Sequence, residues 1–207
     1  MIVPMKKISL VVMGDKKREA LKKLRKAGIE KPILVLGYSF PECFEDIVKY
    51  DIRQTVFQFE MAELLSKEAV KQNKKVFGHV KLDTGMGRIG YQKVEEAVHD
   101  TVKMKNLPML ELEGVFTHFA NADTKNQEFT FQQLSKFEEM IRAMEAEGVT
   151  FELKHCANSA GIIELTEQKF DLVRAGIISY GLWQGIIRAL TEVMTLSMIG
   201  LQTDKLI

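Results

Sequence analysis

Short runs rich in Val, Ile, Leu and Phe alternate along this chain with longer segments of helical period. The alternation predicts a parallel sheet with crossover helices, because parallel neighbours need a long covering connection between them. Strands are expected over 8–13, 32–37, 52–57, 76–82, 112–118, 151–155 and 172–177, and helices over 16–27, 42–50, 60–72, 93–105 and 130–148. In the first helix Ala20, Leu21, Leu24 and Ala27 form an inner stripe and the lysines and arginines an outer one. Gly28 closes it and Pro32 opens the next strand, the usual punctuation between the two elements. Seven such units fit a (β/α)8 barrel or a doubly wound sheet. No G-x-G-x-x-G follows a strand, which removes the most specific support for a dinucleotide-binding sheet. A barrel carries its functional side chains at the carboxyl ends of its strands.

At 207 residues the chain suffices for one sizeable core. A net charge of +1, with lysine-rich stretches such as "KKREALKKLRK" interrupted at helical spacing, leaves no basic footprint for nucleic acid. Cys43 and Cys156 form no CxxC pair, which fits a reducing cytoplasm. No apolar run reaches membrane-spanning length, and the apolar start lacks the pattern of a signal peptide.

Four consecutive strand ends are polar. "KLDTGMGRIG", from Lys81 to Gly90, wraps a lysine, an aspartate and an arginine around three glycines. By itself it reads equally as a solvated strand end or as a turn that aims Lys81, Asp83 and Arg88 at a ligand. "THFANAD" (117–123), "HCANSAG" (155–161) and "VRAGIISYG" (173–181) end the next three strands, and together the four argue for a lined cavity. Ser159 lies near a helix start, either as a plain N-cap or as part of an anion site. Gly176 and Ile177 on the neighbouring strand add backbone amides, which makes a phosphate cup credible.

"KLDTGMGRIG", "GVFTHFANAD", "HCANSAG" and "VRAGIISYGL", in this order and spacing, resemble the alanine racemases, and the resemblance runs from about Val11 to Leu182. It implies a (β/α)8 TIM-type barrel and a pyridoxal 5′-phosphate cofactor. It further implies interconversion of L- and D-alanine, which supplies D-alanine for peptidoglycan. Carried over, Arg174 would hydrogen-bond the cofactor's pyridine nitrogen with His155 behind it, and His118 would lie close to the ring. Asn158, Ser159, Gly176 and Ile177 would belong to the phosphate side. Arg88 would face the phenolic oxygen and the substrate carboxylate, and Lys81, often carbamylated in the family, would brace Arg88.

The family's first barrel strand, with its cofactor lysine in a pattern like "KANAYGHG", finds no counterpart, nor does the β-rich domain bearing a catalytic tyrosine. Residues 1–190 are thus expected to form an incomplete barrel and 191–207 the possible start of that domain. The family homodimer packs barrel against β domain and is not expected here. Lys6 and Lys7 fall at the wrong barrel end, whereas Lys16 follows its strand as a replacement cofactor lysine or a solvated helix start. Two other readings compete. One is a non-catalytic cofactor-binding remnant. The other is a metal-dependent hydrolase using His79, Lys81, Asp83, His118 and His155, although alternation sets His79 one layer deeper.

Overall fold

A computed structural model describes residues 10–12, 17–165 and 170–181. Six strands alternate with helices: β1 (Leu10–Val12), α1 (Lys17–Lys26), β2 (Ile33–Val35), α2 (Phe44–Lys49), β3 (Ile52–Val56), α3 (Phe59–Lys71), β4 (Val76–Lys81), α4 (Val94–Lys105), β5 (Leu110–Phe116), α5 (Glu128–Ala146), β6 (Leu153–His155) and α6 (Ser159–Glu164). The strands pair in chain order and all in parallel, as barrel strands do. Leu34 of β2, Leu153 of β6 and Leu172 share one apolar cluster, so the sheet curls until its second and sixth strands face each other. The result is a partial (β/α) barrel.

The outward face is the larger core. Ile33, Ile52, Val56, Val80 and Val115 pack against Leu21, Ile47, Leu65, Met104 and Met140 of the helices. Each fully buried aliphatic side chain there contributes roughly 1.5–3 kcal/mol. The α1 stripe is narrower than expected, because Leu21 and Leu24 reach the core while Ala27 is exposed. Gly28 ends the helix at φ +81°, with the Ile29 amide bonded back to Leu24.

The inward face is unusually polar, and β5 explains part of it. Gly78 pairs with Leu112 but His79 pairs with Gly114, so Glu113 is an extra residue in a β-bulge. Glu113 and Gly114 therefore both face the interior. A Cβ on Gly114 would stand within 3.0 Å of three His79 ring atoms, so glycine is what lets that imidazole lie across the strand.

The expected strand over 172–177 is not formed. Asp171 and Arg174 donate to Lys154 and Ala157 of the neighbouring segment, but the Gly176 and Ile178 amides turn to the Ser159 side chain instead of continuing a ladder. A 3-10 turn follows at Ile177–Tyr180. β5 also ends earlier than expected, which leaves Thr117 and His118 in the loop beyond it. Lys6, Lys7, Lys16 and residues 191–207 lie outside the described residues. Among the described residues no helix is long and apolar enough to cross a membrane.

Candidate functional site

The loop after β4 is built around one carboxylate. Asp83 Oδ1 accepts from the amides of Gly85 (3.2 Å), Met86 (2.8 Å) and Gly87 (3.0 Å), and Oδ2 accepts from the Arg88 amide (3.1 Å). Burial raises the Asp83 pKa, but these amide bonds and the Lys81 charge outweigh it and hold the carboxyl below its usual range. Gly90, at φ +119°, closes the loop where a Cβ would meet the Lys81 carbonyl oxygen at 2.8 Å. Asp83 thus engages both of its oxygens in folding the loop. Thr84 and Thr117 share a hydroxyl hydrogen bond at 2.8 Å, and Gln133 of α5 reaches both strand ends, donating to the Thr84 hydroxyl (3.5 Å) and the His118 carbonyl (3.2 Å) and accepting from the Ala120 amide (2.9 Å).

Lys81 is 2% exposed and donates to the Leu82 carbonyl at 2.5 Å. It does not bond to Arg88, whose side chain stands exposed and has no hydrogen bond or ion pair among the described residues. Burial, aided by the Arg174 and Arg88 charges, lowers the Lys81 pKa to about 8. A buried lysine with a depressed pKa costs stability while it is charged. Below about pH 8 the full cost is present, and it fades as pH rises from 8 to 10.5, where the unfolded chain holds the extra proton. Wild type should therefore gain urea resistance relative to Lys81→Met across that window, and parallel pH profiles would refute the assignment.

His118 lies between the cations. Burial, with Arg174, Arg88 and Lys81 nearby, lowers its pKa to about 3, so the ring is neutral. Asn158 Nδ2 approaches His118 Nε2 at 3.4 Å and donates to the Phe119 carbonyl at 3.1 Å, while Asn158 Oδ1 caps α6 by accepting from the Gly161 amide at 3.0 Å. Asn158, rather than Ser159, is the N-cap. Ser159 Oγ is free to accept from the Gly176 amide (3.0 Å) and the Ile178 amide (3.5 Å), and its own proton has no acceptor among the described residues. Ile177 stands exposed in the same turn.

Arg174 is the hub. Its Nη1 donates to His155 Nδ1 at 2.6 Å and its Nη2 to the carbonyls of Thr117 (2.7 Å) and Cys156 (2.9 Å). Burial lowers its pKa to about 10, so at neutral pH it remains a cation. The Nε of the same guanidinium is buried and has no hydrogen-bond partner among the described residues. His155 Nε2 in turn meets His79 Nδ1 at 3.0 Å, His79 Nε2 meets Glu113 Oε2 at 3.0 Å, and Arg53 Nε reaches that oxygen at 3.3 Å. His155 also stacks on Phe116, with ring centroids 4.8 Å apart.

Lys81, His118, Asn158, Ser159, Arg174, Gly176 and Ile177 thus gather at one end of the barrel wall, with Arg88 above them and His155 beneath. Glu113, Gln133 and the commitment of His79 to Glu113 were not evident from sequence. Gly114, a glycine within a strand, was the signal for the bulge that produces two of them. The metal-hydrolase reading loses its donors: His79 and His155 bond each other and Asp83 holds its loop. Among the described residues no group of three His, Cys, Asp or Glu side chains is placed to hold a metal.

A parallel barrel wall with a cationic site at its carboxyl end defines a class of (β/α)-barrel protein suited to an anionic ligand. The chain belongs to the alanine racemase family: residues 15–184 match the model of the alanine racemase N-terminal domain. It is 42% identical over 160 residues to an alanine racemase of Desulforamulus reducens, covering 77% of this chain and 43% of that protein. Alanine racemase 1 of Clostridium acetobutylicum is 43% identical over 158 residues, 76% of this chain and 41% of that one. Among solved structures, the alanine racemase of Clostridium difficile superposes with a TM-score of 0.77 at 34% identity, over 88% of this chain and 54% of that chain. The Bacillus anthracis alanine racemase with bound L-Ala-P gives 0.74 at 36% identity, over 80% and 43%. The chain spans less than half the length of these curated relatives.

Proposed function

We propose that this chain forms the cofactor cup of an alanine racemase dependent on pyridoxal phosphate. The observation that carries the reading is the Arg174 Nε: a buried N–H donor without a partner among the described residues, in a guanidinium whose two terminal nitrogens are both bonded, calls for an acceptor with a free lone pair. A pyridine nitrogen is such an acceptor. The surplus of positive charge from Lys81, Arg88 and Arg174, with Asp83 already engaged, suits a phosphorylated ligand.

In this reading Arg174 would hold the ring nitrogen through Nε. Because arginine does not surrender its proton, the nitrogen would accept a hydrogen bond rather than carry a full charge. When bound, the cofactor supplies an electron-withdrawing ring that acidifies the Cα–H of an amino acid attached to it. His155 fixes the far side of the guanidinium. Ser159, with the Gly176 and Ile177 turn, would receive the phosphate, and Asn158 holds that turn's helix and orients His118 as a neutral neighbour of the ring. The exposed Arg88 fork suits the carboxylate of alanine. A Lys81 with its pKa near 8 keeps a fraction of neutral amine, the form that adds carbon dioxide, and the resulting carbamate would attract Arg88. Both cysteines are free thiols, in keeping with a reducing cytoplasm.

Pyridoxine phosphate, which has ring and phosphate but no aldehyde, tests the cup apart from any cofactor lysine. It should bind the chain more tightly than pyridoxine or inorganic phosphate in a calorimetric titration. Ser159→Ala should weaken it about 10-fold, as expected for one lost hydrogen bond to a charged group. Equal affinity for all three ligands would overturn the proposal.

A further inference from the structure

The interior chain from Arg174 to Glu113 has a direction. Arginine can only donate, so His155 Nδ1 is an acceptor and its proton sits on Nε2. That proton points to His79 Nδ1, which places the His79 proton on Nε2, facing Glu113 Oε2. A carboxylate can only accept, so both ends of the chain demand the same pair of tautomers. Burial lowers the pKa of both histidines, which keeps each ring neutral and able to donate and accept at once. Burial alone would raise the Glu113 pKa, but the His79 hydrogen bond and the Arg53 charge prevail and keep it ionised. The bulge that turns Glu113 inward and the bare Gly114 beneath His79 serve this one line of contacts.

We infer that Glu113 is a positioning residue: through His79 and His155 it fixes the guanidinium of Arg174 so that Nε stays turned away from the barrel interior, toward the site. His155 and two carbonyls take three of the five N–H donors of Arg174, all on its terminal nitrogens, and the relay prevents the side chain from rotating to spend the Nε donor elsewhere. The inference rests on the cofactor-cup reading for its purpose, though the relay itself can be tested without any ligand.

Nitrogen-15 NMR of the imidazoles of the ligand-free chain reads the tautomers directly. Both His79 and His155 should be neutral with the proton on Nε2, and a proton on Nδ1 of either ring, or an imidazolium, overturns the inference. This measurement requires no variant to fold. Glu113→Leu should then weaken pyridoxine phosphate about 10-fold while leaving inorganic phosphate unchanged, because the Ser159 turn does not depend on the relay. Glu113→Gln, which keeps an acceptor oxygen, should restore wild-type affinity. A Glu113→Leu chain that binds pyridoxine phosphate as wild type does refutes the inference. A wild type that fails to bind it at all refutes the cofactor reading instead.

Discussion

Arg174→Ala should abolish measurable discrimination between pyridoxine phosphate and inorganic phosphate and should destabilise the chain by several kcal/mol. Two effects oppose each other. Removing the guanidinium relieves the burial of a cation, a cost visible in the lowering of its pKa to about 10. It also strands the Thr117 and Cys156 carbonyls and the His155 Nδ1, three buried acceptors worth about 1–3 kcal/mol each when unpaired. Three stranded acceptors outweigh one relieved charge, so the net sign is destabilising. Arg174→Lys separates the roles: an ammonium can still donate to one or two of these acceptors but has no planar fork, so stability should recover in part while ring recognition does not. Urea unfolding and ligand titration on both variants provide the check. An Arg174→Ala chain as stable as wild type would show that the hub is not structural.

Acid should unfold this protein early. His79, His118 and His155 all have lowered pKa values, chiefly through burial, and His118 falls to about 3. Below pH 6.5 the unfolded chain takes up protons that the folded chain refuses, so stability falls as pH falls. Each histidine that stays neutral in the fold contributes about 1.4 kcal/mol per pH unit of decline. Asp83 and Glu113 have depressed pKa values too, but their contribution is lost only as pH drops past the ordinary carboxyl values of 3.8 and 4.5. The slope between about pH 6.5 and 5 therefore belongs to the histidines. A urea midpoint that stays flat across that interval would mean the three rings are solvated or charged in the folded state.

The helices and the first six strands were legible because apolar spacing and turn residues agree there, as at Gly28 and Pro32 around β2. The segment over 172–177 carries the same apolar spacing, yet the pull of Ser159 on two of its amides wins over a ladder. Spacing cannot register such a competition. Glu113 was hidden for a related reason: alternation counted back from Val115 puts it on the helix side, alternation counted on from Leu112 puts it inside, and only the bulge decides between them. Asp83 was readable as a charged loop residue but not as the acceptor that organises the loop, since its four amide partners come from backbone geometry. The family motifs pointed to residues that the structure brings to one end of the barrel wall. They named Arg174, His155 and Ser159 without revealing the line of contacts that runs behind them.

The most direct test follows the Arg174 Nε signal in a nitrogen-15 spectrum of the chain as pyridoxine phosphate is added. A saturable shift of that resonance, absent when inorganic phosphate is used, is the result expected of a buried donor that gains a pyridine acceptor. A signal that stays in place while the ligand saturates would contradict the assignment of this site to a pyridoxal phosphate cup.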